Sequence, residues 1–185
     1  MVAKKSKKLM KKPAKKVMKK NKNNNKTKKL ASKKVQALAP GYNYITPCLT
    51  VKNAKEAIKF YTNIFGGKVK MLMEHNNRVM HCEIKFGDTK IMLADEFPDM
   101  GAHSPEKFGG SPVGIHLYVK NVDQVADYAV KAGATMLKPL ENMFYGDRSC
   151  LLQDPFGHKW FVATHVENVT PAQTRKRAAA LFSAK

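Results

Sequence analysis

Acidic residues are absent from the first forty positions, where sixteen of the chain's 34 basic residues lie, every one of them lysine. Without arginine or aromatics that stretch has no bidentate grip on phosphate and no platform for stacked bases, which argues against specific nucleic-acid recognition. Its apolar content is too small to offset the entropy of ordering, so residues 1–40 are expected to form a disordered lysine-rich tail. Such a tail either holds nucleic acid or another polyanion weakly, through counterion release, or is simply solvated. The rest of the chain carries 18 basic against 14 acidic residues, a net of +4 rather than the +20 of the whole, and so has no footprint for nucleic acid of its own. Cysteine is scarce and scattered, at Cys48, Cys82 and Cys150, which excludes a disulfide framework and a paired-cysteine zinc site. No run approaches the roughly 18 apolar residues of a membrane span, and no apolar stretch follows the basic start as a secretory signal requires. A soluble protein of the reducing cytoplasm is the expectation.

What is present is a duplication. Val51-Lys52-Asn53 recurs as Val119-Lys120-Asn121, and each copy joins an alternating apolar strand to an amphipathic stretch that closes on glycine, at Gly66-Gly67 and at Gly133. The pattern predicts a strand, a helix of about 13 residues and three more strands, twice over. The fold class is α+β, with tandem βαβββ modules forming a curved mixed sheet around a cleft. Residues 42–167 form the domain, with module one at 42–96, a linker at 97–112 and module two at 113–167. Residues 168–185 read as a C-terminal short helix or tail, with Thr170 as N-cap and Pro171 in its first turn.

Alternation assigns faces. Ile45, Pro47, Leu49 and Val51 pack toward the first helix, which turns Thr46, Cys48 and Thr50 to the cleft. In the next strands Met80, Cys82, Ile84 and Phe86 go inward while His81, Glu83, Met92 and Ala94 face the cleft. In module two the cleft set is Gly114, His116, Tyr118, Phe161, Ala163 and His165, with His158 and His165 expected to be exposed near strand ends. Tyr145 and Arg148 lie in a turn-like stretch. Arg148 is read as an anion clamp at the cleft mouth or as a surface ion pair with Asp147 or Asp154. Cys48 is either a thiolate partner for His81 or His116 or a small packing residue. His81, Glu83 and His116 would suffice for zinc or iron, and equally serve as a general base, as hydrogen-bonding groups for a ligand, or as satisfied polar groups.

Several stretches together carry a family resemblance: Ala57-Ile58-Lys59-Phe60-Tyr61, Ile45-Thr46-Pro47, Leu93-Ala94-Asp95-Glu96-Phe97-Pro98, Gly109-Gly110-Ser111-Pro112-Val113, His116-Leu117-Tyr118-Val119, Tyr145-Gly146-Asp147-Arg148 and Asp154-Pro155-Phe156-Gly157-His158. Over about residues 44–167 the chain resembles the vicinal oxygen chelate superfamily of glyoxalase I, extradiol dioxygenases and bleomycin-resistance proteins, and within it the PhnB-like branch. The resemblance implies two βαβββ modules curled around a shared cleft, within one chain or between the chains of a homodimer. It also implies four metal ligands, one from the first and one from the last strand of each module. Those positions fall at Thr46, Met92, Gly114 and Phe161, none a usual ligand, so no cofactor is expected there.

Three functions follow from different premises. The first is a bleomycin-resistance-type binder that holds a small molecule without metal, using Cys48, Met92, Tyr118, Tyr145, Arg148 and Phe161. The alternative is a glyoxalase-type lyase, isomerase or dioxygenase with a divalent metal or general base at His81, Glu83 and His116. The third is a polyanion-associated protein that works through residues 1–40.

Overall fold

The computed structural model describes residues 35–183, so the lysine-rich tail call at 1–40 lies almost entirely outside the described residues. Every element falls within Ala37–Lys185. Module one runs β1 (Cys48–Val51), α1 (Ala54–Asn63), β2 (Lys68–His75), β3 (Arg78–Phe86) and β4 (Thr89–Asp95). Module two repeats it with β5 (Gly114–Tyr118), α2 (Val122–Lys131), β6 (Thr135–Asn142), β7 (Asp147–Gln153) and β8 (Lys159–His165). Two 3-10 turns, Pro98–Met100 and Pro105–Phe108, lie between the modules, and α3 (Pro171–Ser183) follows them. The two sheets have the same order, β1-β4-β3-β2 and β5-β8-β7-β6. In each the first strand is parallel to the last, as a helical crossover requires, and the remaining pairs are antiparallel. The α+β fold of tandem βαβββ modules is therefore present, as two mixed four-stranded sheets that do not close on each other.

The repeated tripeptide has a physical role. Asn53 and Asn121 are the N-caps of α1 and α2, accepting from the amides of Glu56 (3.3 Å) and Gln124 (3.1 Å). The first helical amide in each module is taken by the last strand, Ala54 N by Asp95 Oδ1 (2.8 Å) and Val122 N by Thr164 Oγ1 (2.9 Å). Each helix has 10 residues rather than about 13. In α1 the chain folds back early, with Gly67 N donating to Tyr61 O (3.1 Å). We expect Asn53→Ala and Asn121→Ala each to cost about 1 kcal/mol, and the double change about twice that, since the caps share no partner. Urea denaturation of the three variants measures this, and a clear departure from additivity would show that the caps are coupled.

Inward faces match the alternation except at two points, of which the first is Ile45: it precedes β1, which starts only at Cys48, and is exposed rather than packed toward α1. Leu49, Val51, Cys82, Ile84, Ile91 and Leu93 are buried with Phe60, Tyr61 and Phe65 of α1. Met80, expected inside, is exposed, and Val79 is buried in its place. The cause is a β-bulge: Met73 pairs with His81 and Glu74 with Val79, which leaves Met80 as the extra residue. The modules share one core, because Tyr61 and Phe65 of module one meet Trp160 of β8 at ring separations of 5.2 and 4.8 Å. Among the described residues no helix is long and apolar enough to cross a membrane.

Candidate functional site

The sheet faces turned away from the helices are the candidate functional surfaces. On sheet one, cross-strand pairing sets Cys48 beside Met92, Met92 beside Glu83 and Glu83 beside Met71, while His81 pairs with Met73. Glu83 is buried and fully engaged: it accepts from the hydroxyl of Tyr42 and from Lys90 Nζ at 2.8 Å, with His81 Nε2 at 3.6 Å. The Lys90 and Tyr42 hydrogen bonds hold the Glu83 carboxyl below its ordinary range, and the Glu83 bond raises the Tyr42 phenol.

Sheet two carries a second network. Asp147, almost wholly buried, accepts from Tyr118 Oη at 2.7 Å and lies 2.7 Å from His165 Nδ1, while His165 Nε2 lies 3.0 Å from Asn168 Oδ1. Burial pushes the Asp147 carboxyl up, but the bonds from His165 and Tyr118 outweigh it and the net shift is downward. The bond to Asp147, then that to Asn168, raises His165. The aspartate's contribution to stability is thus lost as pH falls through its lowered folded value, and the histidine's as pH rises through its raised one. The pair holds best between those limits. Around it the aromatic groups gather, with the His116 ring 4.7 Å from Tyr118 and stacked parallel to Phe161 at 6.4 Å. Tyr145 sits in the turn leading into β7, against Phe144 at 5.1 Å.

Between β1 and β5, the two inner sheet edges, runs a groove of about 810 Å³. Its walls include Cys48, His116, Tyr118, Phe65, Phe86 and Trp160. Of the residues singled out by sequence, the groove therefore unites Cys48, Gly114, His116, Tyr118 and His158. Phe161 and Met92 lie on the flanking sheet faces, and His81 with Glu83 belongs to the sheet-one network. Among the described residues no three His, Cys, Asp or Glu side chains converge as metal ligands would, so His81, Glu83 and His116 are not assembled within one chain. The four inherited corners do not fit a cation either. Thr46, Met92, Gly114 and Phe161 offer a hydroxyl, a thioether, no side chain and a phenyl ring. The Phe161 ring also fills the space over Gly114, where a Cβ would come within 2.6 Å of it.

Two placements differ from expectation. Arg148 is on the helix side of sheet two, forked onto Asp123 of α2 at 2.6 and 2.9 Å, so it neither clamps the cleft mouth nor pairs with Asp147 or Asp154. It pairs with Thr164, whose hydroxyl caps α2, and that register turns its side chain to the helix. His158 is buried rather than exposed, its Nε2 3.2 Å from the carbonyl of Thr50 in module one. Sequence reasoning missed Tyr42 and Asp147 as network members. Asp147 stood in the noted Tyr-Gly-Asp-Arg stretch, but only the β7–β8 register, Asp147 opposite His165, gives it a partner.

A family model described as the Glyoxalase/Bleomycin resistance protein/Dioxygenase superfamily matches residues 41–162. An uncharacterized protein of Mycobacterium bovis is 36% identical over 129 residues, covering 68% of this chain and 85% of its own. Among solved structures, a gene product of Arabidopsis thaliana matches with a TM-score of 0.54 and 26% identity, over 66% of this chain and 98% of its own. The PhnB protein of Bacillus cereus has the same fold, with a TM-score of 0.52 and 17% identity over 66% of this chain and 99% of its own.

Proposed function

We propose, from the premise that this chain belongs to the glyoxalase/bleomycin resistance protein/dioxygenase superfamily, that it is a cytoplasmic small-molecule-binding protein whose guest is held by aromatic packing without the family's metal quartet. The observation that carries this reading is the state of the four corners: none is a His or carboxylate of the kind that holds a catalytic divalent ion, and the Phe161 ring packs over the Gly114 corner. The groove beside them has the size and lining of a ligand site, mostly apolar with a few polar groups from His116, Tyr118 and His158. A planar guest would stack on these rings, each good aromatic contact contributing about 0.5–1.5 kcal/mol beyond burial. The reading includes a homodimer. Met73, Tyr118 and Phe161 are 54%, 60% and 40% exposed on the two open sheet faces, apolar surface that a second copy would cover.

The test has two arms. Protein purified without an affinity tag is expected to carry well under one zinc, iron, nickel or manganese per chain. About one ion per chain, lost on His81→Ala or His116→Ala, would overturn the reading in favour of a metal-dependent lyase, isomerase or dioxygenase. The second arm uses Trp160, the chain's single tryptophan and part of the groove wall. The aromatic anion 8-anilinonaphthalene-1-sulfonate, with its flat naphthalene, should take energy from Trp160 on binding, and His116→Ala should weaken it about three- to tenfold. Unchanged affinity would remove His116 from the site.

A further inference from the structure

The sheet-one face already holds an aromatic ring, and the ring comes from the chain itself. Tyr42 precedes β1 and takes no part in the core, and its neighbours Tyr44 and Ile45 are 93% and 83% exposed. Yet its hydroxyl donates to Glu83, a carboxylate only 5% exposed. Lys90 closes the arrangement, its ammonium 3.9 Å from the centre of the Tyr42 ring and 2.8 Å from the other oxygen of Glu83. The cross-strand neighbours of Glu83 are Met71 and Met92, flexible thioether side chains that adapt to an inserted ring.

We propose that the Glu83–Lys90 pair on sheet one is a recognition site for a hydroxylated aromatic ring, and that Tyr42 is its built-in, displaceable occupant. Each contact selects for this chemistry. A buried carboxylate whose second oxygen is engaged needs a hydroxyl or N–H donor and repels an anion. An ammonium over a ring face needs a π-system, which an aliphatic alcohol lacks. A phenol meets both demands, and an aryl ether meets only the second. Tethering gives Tyr42 a high effective concentration, so a free phenol must outcompete it in the intact chain. The site is distinct from the β1–β5 groove, since neither Glu83 nor Lys90 lines that groove. The two can therefore fail independently.

The probe is p-cresol, the tyrosine side chain as a free molecule, titrated into the full chain. The ring signals of His81, which lies 3.6 Å from Glu83, report on the site, and Trp160 emission reports on the groove. Tyr42→Ala should bind p-cresol at least tenfold more tightly than the unchanged protein, with His81 shifted and Trp160 unaffected. Tyr42→Phe, which keeps the ring but loses the hydroxyl, should gain clearly less than Tyr42→Ala. Adding Glu83→Gln to Tyr42→Ala should weaken binding at least fivefold, and 4-methylanisole should bind Tyr42→Ala at least fivefold more weakly than p-cresol does. Tyr42→Ser empties the same place and serves as the second variant. The proposal is overturned if neither small variant gains affinity, if Tyr42→Phe gains as much as they do, or if Glu83→Gln or the loss of the hydroxyl makes no difference.

Discussion

Asp154→Ala should destabilise the domain by about 3 to 5 kcal/mol, close to the largest effect a single change can have here. Its carboxylate is almost wholly buried and takes four donors: Tyr61 Oη at 2.6 Å, Trp160 Nε1 at 2.8 Å, and the amides of Phe156 and His158 at 2.9 Å each. Tyr61 belongs to module one and the other three to module two, so one side chain joins the halves at the centre of the aromatic core. Alanine would leave all four donors without their acceptor, three of them in buried bonds, and each buried orphan costs about 1–3 kcal/mol before relaxation. Asp154→Asn keeps the shape but turns one oxygen into a donor facing another donor, so an intermediate loss is expected. Urea denaturation followed by Trp160 emission measures both, because that indole is itself one of the four partners. A loss below about 1 kcal/mol for alanine would mean that Asp154 adds little to the apolar packing and the His158–Thr50 contact that also join the modules.

Gly146→Ala should cost about 3 kcal/mol and loosen the C-terminal segment as it does so. Gly146 has φ +100°, a conformation a side chain resists, and a Cβ there would press into the carbonyl oxygen of Glu167 and reach Val169 Cγ2 at 3.0 Å. The collision falls on a fixed hinge. The carbonyl of Gly146 accepts from the amides of Val166 (3.0 Å) and Glu167 (2.9 Å), and Glu167 is in turn paired with Arg177 of α3 at 2.7 Å. Displacing that segment also withdraws Asn168 from His165. Hydrogen exchange at Val166 and Glu167 should therefore speed up well beyond the global change, and the His165 titration should move back toward its ordinary value. Uniform acceleration across the sheet would instead indicate simple global destabilisation.

Local rules account for most of the architecture. The Val-Lys-Asn repeat marks two helix starts because an asparagine there accepts from the amide three residues on, whatever the rest of the molecule does. The two-residue period of strands places Cys48, His81, Glu83, His116, Tyr118 and Phe161 on the faces away from the helices. Where a bulge inserts Met80, the same rule misplaces one residue and then resumes, because the bulge resets the phase. Arg148 shows the limit of that reasoning: in a strand whose phase the pattern left open, only pairing with Thr164 turned it to the helix and Asp123.

By itself, then, the order of residues determined the duplicated βαβββ plan, the capped helices, the faces of the strands and the residue types at the four corners that the family resemblance picks out. The first three depend on neighbours a few positions apart, and the last on residue type at positions the resemblance supplies. The tertiary structure decided which polar groups meet: Tyr42 with Glu83 across 41 positions, Asp147 with His165 across 18, and Tyr61 with Asp154 across 93. Such pairings are set by strand register and by how one module's helix packs on the other's sheet, and periodicity along a chain holds no information about either.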